Sequence, residues 1–215
     1  VVAGPCSVES QEQMLDIAQS IAKNSNVKLL RGGIWKPRTR PNSFEGVGGI
    51  GLPWLVEAGK TAGLPVATEI ANAQHVELAL KAGVDVLWIG ARTTVNPFAV
   101  QEIADAIRGT DIPVMIKNPI NPDLNLWIGA FERLAKANVK DLVGIHRGFS
   151  VYNHPKYRNA PNWEIPIGLM EKMPEIPIIN DPSHICGNRT DLLSIAQKAM
   201  DLNFAGLMIE THPNP

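Results

Sequence analysis

Hydrophobic residues occur along the chain in short runs that are separated by longer amphipathic segments. The short runs, which have the length of β-strands, are residues 1–3, 27–30, 65–68, 86–91, 114–116, 142–146, 178–180 and 206–209. The segments between them repeat apolar residues at helical spacing, at 11–23, 53–62, 73–82, 97–108, 124–137, 165–172 and 189–202. Strands and helices therefore alternate, which is typical of βαβ units and a parallel sheet.

The eight predicted strands favour a closed (β/α)8 TIM barrel, because an open doubly wound sheet typically has about five or six strands. An open sheet of that kind also carries a glycine-rich fingerprint after its first strand, and Gly4-Pro5-Cys6 is a different sequence. We expect one α/β barrel domain over residues 1–215 that lacks its eighth helix, since Pro215 comes soon after the eighth strand. The sequence is therefore expected to be truncated at both ends.

A polar or charged residue stands at the end of each predicted strand. These residues are Cys6, Arg31, Glu69, Arg92, Lys117, Arg147, Asp181 with His184, and Glu210. In a barrel of this class, the loops at the carboxyl ends of the strands form the active site. The pattern that predicts the fold therefore also predicts where the site lies.

A metal site is predicted at the first, seventh and eighth strands. Closing the ring places these strands side by side, so we expect Cys6, His184 and Glu210 to converge although they are far apart in sequence. A thiolate, an imidazole and a carboxylate together suit a divalent transition metal such as Zn²⁺, Fe²⁺, Mn²⁺ or Co²⁺. Taken alone, Cys6 would more often be a small buried apolar residue.

Arg92, Lys117 and Arg147 follow the fourth, fifth and sixth strands and are predicted to form a cationic arc. Three gathered cations repel one another unless an anion lies among them, and a phosphate matches the paired donors of arginine. The alternative is that each cation pairs with a nearby carboxylate such as Glu69 or Asp181. The sequence leaves both interpretations open.

The long loop after the second strand, residues 35–51, is rich in glycine, proline and basic residues. Lys36, Arg38 and Arg40 carry positive charge there, and Thr39 supplies a hydroxyl group. A loop of this length in a compact domain is commonly functional, which suggests a second anion site beside the arc. The alternative is a solvated surface loop.

The composition limits the class of partner. The 20 Lys and Arg residues nearly balance 21 Asp and Glu residues, for a net charge of -1, so the chain has no general attraction for nucleic acid or an anionic membrane. No apolar stretch approaches the roughly 20 residues of a membrane span. The two cysteines, Cys6 and Cys186, suit a reducing compartment. We therefore expect a cytoplasmic protein with a small-molecule partner.

Several short motifs resemble, in their order along the chain, those of 3-deoxy-D-arabino-heptulosonate 7-phosphate (DAHP) synthase. They are Gly4-Pro5-Cys6, Lys36-Pro37-Arg38-Thr39, Ile89-Gly90-Ala91-Arg92, Lys117-Asn118-Pro119, His146-Arg147-Gly148 and Asp181-Pro182-Ser183-His184. Tyr157-Arg158-Asn159-Ala160-Pro161 together with Ser183-His184-Ile185-Cys186-Gly187 resembles the branch that is often fused to a chorismate mutase domain. That domain would lie outside this sequence.

The resemblance implies an enzyme of the shikimate pathway to aromatic amino acids, which condenses phosphoenolpyruvate with erythrose 4-phosphate. It implies that Cys6, His184 and Glu210 bind a divalent metal (Mn, Fe, Zn or Co) and that the protein is a homo-oligomer. It implies that Arg92, Lys117 and Arg147 hold phosphoenolpyruvate and that Arg38 and Thr39 serve the erythrose phosphate. Glu69, Gly90 and Ala91 are also predicted to bind substrate. Catalysis is assigned to Lys117, Lys36 and Arg38, with one of the two lysines as the proton donor. The family's fourth metal ligand, an aspartate beyond the eighth strand, would come after Pro215.

Two other functions stay open. A 3-deoxy-octulosonate 8-phosphate synthase would use arabinose 5-phosphate in the same barrel, although that family has a Lys-Ala-Asn-Arg-Ser pattern where this sequence has Lys36-Pro37-Arg38-Thr39. A non-catalytic barrel that binds a phosphorylated metabolite and regulates a partner domain would keep the cationic arc without working metal ligands.

Overall fold

The strands of the computed structural model, which describes residues 1–37, 40 and 42–214, form a closed barrel. They are β1 (Val2–Gly4), β2 (Leu29–Arg31), β3 (Val66–Ile70), β4 (Val86–Ile89), β5 (Val114–Lys117), β6 (Leu142–His146), β7 (Ile178–Asn180) and β8 (Gly206–Glu210). The strands are ordered in the barrel as they are along the chain. Neighbours pair in parallel, with Val2 opposite Leu29 and Lys117 opposite Ile145. The predicted (β/α)8 barrel is confirmed.

Helices alternate with these strands, as the periodicity predicted. They are α1 (Gln11–Ala22), α2 (Gly51–Ala62), α3 (Ala73–Ala82), α4 (Ala91–Thr94), α5 (Pro97–Ile107), α6 (Leu124–Lys136), α7 (Glu164–Lys172), α8 (Pro182–Cys186) and α9 (Leu192–Asp201). Side-chain caps fix several of their starts, since Ser10, Asn72 and Asp123 each accept a hydrogen bond from a backbone N–H of the first turn. The short helices α4 and α8 were not predicted, because one turn is too short to show a helical period.

Several predicted boundaries shift by one or a few residues. Four residues that were predicted to stand directly after an apolar run are the last or next-to-last members of strands: Arg31, Glu69, Lys117 and Glu210. The prediction of a strand over 86–91 is wrong at its end, because β4 stops at Ile89. Gly90 is the N-cap of α4, and its carbonyl accepts a hydrogen bond from Thr94 Oγ1 at 3.0 Å. Arg92 therefore lies on a helical turn and does not directly follow a strand.

Packing divides the chain into two compact units, Val1–Trp88 with Ile209–Pro215, and Ile89–Met208. In the first unit, α1 packs against α2. In the second unit, the buried Trp127 indole of α6 donates to the Ile116 carbonyl of β5 at 3.3 Å. The expectation that residues 1–215 form a single domain stays a prediction. Among the described residues, no helix is long and apolar enough to cross a membrane.

Two glycines of the first unit allow close backbone approach beside the predicted site. Gly4 has a φ of +146°, and a Cβ there would lie 2.0 Å from the Arg31 carbonyl oxygen. A Cβ on Gly33 would lie 2.5 Å from the Cys6 carbonyl oxygen. Both contacts are too short for any side chain, so the Gly4-Pro5-Cys6 segment packs against the end of β2 only because these positions are glycine.

Candidate active site

Cys6 and Lys36 are in direct contact in the first unit. The ammonium Nζ of Lys36 donates to the Cys6 carbonyl oxygen at 2.8 Å and to Cys6 Sγ at 3.2 Å. The backbone of Lys36 is also held, because its N–H donates to the Glu45 carbonyl at 2.8 Å. A predicted metal ligand and a predicted catalytic residue therefore lie side by side.

Arg31 and Glu210 form a partly buried ion pair in the same unit. Arg31 Nη2 lies 3.5 Å from Glu210 Oε1, and the arginine side chain is only 1% exposed. The guanidinium carbon of Arg31 lies 5.1 Å from the centre of the Trp88 ring, which places a cation over an aromatic face. Trp88 Nε1 in turn donates to Glu69 Oε2 at 3.0 Å. The two carboxylates are thus held by contacts to an arginine and a tryptophan that contact each other.

Arg31 has donors available for an anion. Within the described part of the chain, its Nε and Nη1 atoms have no hydrogen-bond partner, although the side chain is buried. An unsatisfied buried donor costs about 1–3 kcal/mol, so this position suits a ligand with acceptor oxygens such as a carboxylate or a phosphate. The sequence analysis placed Arg31 at a strand end and gave it no role. A cation at the carboxyl end of a barrel strand was the signal that could have assigned one.

The carboxylate of Asp181 is fully buried in the second unit and contacts two predicted site residues. Its Oδ2 lies 3.0 Å from Lys117 Nζ and 2.8 Å from His184 Nδ1. Its Oδ1 accepts the backbone N–H of His184 at 3.1 Å, because Asp181 is the N-cap of α8. The carboxylate pairing considered as an alternative is therefore observed for Lys117, and the same carboxylate orients His184.

Arg147 is buried beside this group and is held by two asparagines. Its Nη1 donates to Asn159 Oδ1 at 2.6 Å, and its backbone N–H donates to Asn118 Oδ1 at 2.7 Å. Asn159 also donates to the His184 carbonyl at 2.6 Å. Lys117 is the last residue of β5, and Arg147 directly follows β6. Because these two strands are neighbours, they present Lys117 and Arg147 at one edge of the barrel. Both asparagines belong to motifs quoted above, but sequence reasoning gave neither a role.

His146 is a neutral core histidine. Its Nε2 lies 2.6 Å from the Pro161 carbonyl oxygen and its Nδ1 lies 3.1 Å from Asn180 Nδ2. These contacts fit the tautomer with hydrogen on Nε2, which donates to the carbonyl while Nδ1 accepts from the amide. Burial lowers the pKa of His146 to about 4, and the contact with the Pro161 carbonyl opposes that shift. The ring is therefore uncharged near neutral pH.

The predicted substrate-binding residues that remain are Gly90, Ala91, Arg92, Arg38 and Thr39. Gly90 and Ala91 are buried at the start of α4, and Arg92 is exposed on the same turn. Arg38 and Thr39 lie outside the described residues. The roles of all five in binding a substrate stay predictions.

The predicted metal ligands are divided between the two units. Cys6 and Glu210 belong to the first unit, and His184 belongs to the second. Over residues 1–37, 40 and 42–214, no group of three or more His, Cys, Asp and Glu side chains is arranged as a metal site. The assignment of a metal to these ligands stays a prediction.

Comparison with known proteins gives a family for the chain. All of residues 1–215 match the model of the DAHP synthetase I family. The chain is 30% identical to phospho-2-dehydro-3-deoxyheptonate aldolase of Thermotoga maritima, over 100% of this chain and 61% of that relative. It is 25% identical to 2-dehydro-3-deoxyphosphooctonate aldolase of Bradyrhizobium diazoefficiens, over 100% of this chain and 79% of that relative.

Solved structures give the same result. A crystal structure of phospho-2-dehydro-3-deoxyheptonate aldolase (DAHP synthase) from Thermotoga maritima matches with a TM-score of 0.87 at 29% identity, over 99% of this chain and 60% of that one. A truncated form of 3-deoxy-D-arabino-heptulosonate 7-phosphate synthase from Thermotoga maritima matches with a TM-score of 0.84 at 28% identity, over 100% of this chain and 75% of that one. The chain thus spans 61% of the length of the Thermotoga maritima relative first compared.

Replacing Asp181 with Asn should lower the free energy of unfolding by about 3–5 kcal/mol, because it leaves the buried Lys117 ammonium without its counter-charge. Urea denaturation measures this change. The exposed pair Lys140–Asp111, whose atoms are 3.0 Å apart, supplies the control. Asp111→Asn should leave the unfolding midpoint unchanged. Equal small shifts in both variants would contradict the structural importance of the buried pair.

Stability should fall on acidification because of His146. Its pKa is about 4 in the folded protein and about 6.5 in an unfolded chain, so the unfolded state binds the proton first. The free energy of unfolding should therefore drop by roughly 3 kcal/mol as the pH falls from about 6.5 to about 4. Urea denaturation of His146→Asn across this range should show a shallower slope, whereas His212→Asn, at an exposed position, should keep the wild-type slope. If the slope were unchanged in His146→Asn, the lowered pKa of His146 would not be the cause of the pH dependence.

Proposed function

Because the chain belongs to the DAHP synthetase I family, we propose that it condenses phosphoenolpyruvate with erythrose 4-phosphate to give DAHP and inorganic phosphate. The observation that carries this proposal is the presence of buried cations, Arg31, Lys117 and Arg147, at or directly after the ends of barrel strands. Both substrates are anions, and buried cations at that edge of a barrel suit anionic substrates. The family match supports the identity of the reaction, and the cations give a physical reason for it.

We assign phosphoenolpyruvate to the cations of the second unit. Lys117 and Arg147 are buried at one edge of β5 and β6. The helical turn that carries Arg92 is anchored to the same edge, because Thr94 Oγ1 donates to the Lys117 carbonyl at 2.9 Å. Backbone N–H groups of the preceding Gly90-Ala91 pair would add donors to the phosphate.

We assign the sugar phosphate to the loop that begins at Trp35. Lys36 is fixed there through its backbone and its ammonium group, and Arg38 and Thr39 follow it in sequence. Glu69, which accepts from Trp88 Nε1, is the carboxylate expected to accept hydrogen bonds from substrate hydroxyls. This assignment uses the basic loop that the sequence analysis linked to a second anion.

We assign a divalent metal, Mn, Fe, Zn or Co, to Cys6, His184 and Glu210. Their sulfur, nitrogen and oxygen donors are those that such ions accept. His184 adds a structural argument, because its Nδ1 lies 2.8 Å from Asp181 Oδ2, and a histidine that binds a metal commonly directs its other ring nitrogen to a carboxylate. When bound, the metal supplies a Lewis acid that polarises the aldehyde oxygen.

The reaction forms one carbon–carbon bond between C3 of phosphoenolpyruvate and the aldehyde carbon of the sugar. The aldehyde oxygen takes up a proton, water adds at C2, and phosphate leaves as the C2–O bond to it breaks. The chain's cations hold the enol phosphate in place, which removes the entropic cost of aligning the two substrates. Lys117, next to Asp181, and Lys36, next to Cys6, are the proposed proton donors, with Arg38 as a catalytic residue on the sugar side.

The alternative is the eight-carbon synthase that uses arabinose 5-phosphate. The 25% identity to an enzyme named 2-dehydro-3-deoxyphosphooctonate aldolase supports keeping it as the competing reaction. The Lys36-Pro37-Arg38-Thr39 sequence supports the seven-carbon product.

A homo-oligomeric state, a fused chorismate mutase domain and a cytoplasmic location also stay predictions.

Phosphoenolpyruvate loss and phosphate release should occur with erythrose 4-phosphate and not with arabinose 5-phosphate. Addition of Mn²⁺ should support turnover, and a chelator should abolish it, because the proposed Lewis acid would be removed. Turnover only with the five-carbon sugar would establish the alternative synthase. Consumption with neither sugar, together with binding of phosphoenolpyruvate, would favour a non-catalytic barrel that binds phosphorylated metabolites.

Arg31→Lys should raise the KM of one of the two anionic substrates by about tenfold, because lysine keeps the charge and loses the Nε and Nη1 donors. Steady-state kinetics with each substrate varied in turn measures this change. Arg108→Lys, on an exposed arginine that pairs with Asp105, is the matched control and should leave both KM values unchanged. Unchanged KM values in Arg31→Lys as well would remove Arg31 from the anion site.

A further inference from the structure

Trp35 and His75 form a flat aromatic stack in the first unit. Their ring centres lie 3.8 Å apart and their planes differ by 6°. Both side chains are half-buried. Parallel rings at this distance attract each other through dispersion and reduced exposure to water. Since the two residues are far apart in sequence, the stack connects the loop after β2 to the first turn of α3.

His75 is itself held rigidly by its own helix. Its backbone N–H donates to Asn72 Oδ1, the N-cap of α3, at 2.9 Å. Its ring Nδ1 accepts the backbone N–H of Ala71 at 3.3 Å. These two bonds fix both the backbone and the ring of His75 immediately after β3. The His75 ring therefore has a defined orientation, and the Trp35 indole stacks on it.

The other half of the stack leads directly to a predicted site residue. Trp35 immediately precedes Lys36, whose Nζ reaches Cys6 and whose backbone N–H donates to the Glu45 carbonyl. Trp35, Lys36, Glu45, Glu69 and His75 all line one cavity of about 360 Å³. Trp35 is bonded directly to Lys36 and shares the cavity wall with it, so a shift of the Trp35 ring would be passed to the Lys36 backbone.

We infer that His75 is a positioning residue of the sugar-phosphate site, which acts by stacking on Trp35 and so fixing Lys36 in this cavity. His75 need not touch the substrate, because its effect passes through the indole ring and the backbone of the loop. The inference rests on the proposed function for its kinetic consequences. Its structural content, a loop held by a ring stack, is independent of the reaction.

His75→Ala should raise the KM of erythrose 4-phosphate by about tenfold and lower kcat, because Lys36 is a proposed proton donor, while the KM of phosphoenolpyruvate changes by less than about twofold. His75→Phe should restore values near wild type, since phenylalanine keeps a flat ring for the stack although it loses both ring nitrogens and the hydrogen bond from Ala71. Gln74→Ala, at an exposed position on the same helical turn, is the matched control and should behave as wild type. A double variant His75→Ala/Trp35→Ala should be no worse than Trp35→Ala alone, because both changes remove one stack.

Hydrogen exchange of the Lys36 amide gives a readout that does not depend on activity. Exchange should be at least about tenfold faster in His75→Ala and near wild type in His75→Phe and Gln74→Ala. Unchanged exchange and unchanged KM in His75→Ala would overturn the inference. If the wild-type protein lacked turnover, the proposed function would fail, and the exchange rates would still decide whether His75 holds the loop. A uniform loss of kcat in both His75 variants would show a general folding role and would also overturn it.

Discussion

A buried ionised side chain is tolerated only when an opposite charge or a full set of hydrogen bonds compensates for its lost hydration. That constraint governs each unit of this barrel separately. In the second unit, Lys117 and Asp181 are 3% and 0% exposed, and their charged atoms lie 3.0 Å apart. In the first unit, the 1% exposed Arg31 makes a longer contact of 3.5 Å with Glu210. The two pairs therefore differ in how completely the cation is compensated.

That difference separates two kinds of cation. Lys117 is a point charge whose compact ammonium is closely matched by one carboxylate oxygen. Arg31 has a planar fork of donors, and only its Nη2 edge faces Glu210. The partly compensated fork is the better anion receptor, because an incoming oxygen would satisfy donors that are already desolvated. The ammonium of Lys117 is held at a carboxylate oxygen, which is consistent with the proton-donor role proposed for it.

The order of strands and helices, and the charged residues that lie at the strand ends, could be predicted from the sequence, because strand and helix periods are local. The contacts between these residues could not. That Asp181 joins Lys117 to His184 depends on the register of β5, β6 and β7, which no local pattern encodes. Arg31 was passed over because nothing in the sequence shows that it is buried. The roles of Asn118 and Asn159 depend on amide orientations that only the folded backbone determines.

Amide and carbonyl groups contact the buried Arg147 side chain. Its Nη1 donates to Asn159 Oδ1 at 2.6 Å and to the Gly148 carbonyl at 3.2 Å. The residue just before it, His146, is surrounded by the rings of Phe149, Trp163 and Phe204. Burial among these rings lowers the pKa of His146 to about 4, so no second positive charge forms beside the guanidinium near neutral pH. Since a guanidinium does not lose its proton in proteins, the attraction of Arg147 for an anion should change little across that range.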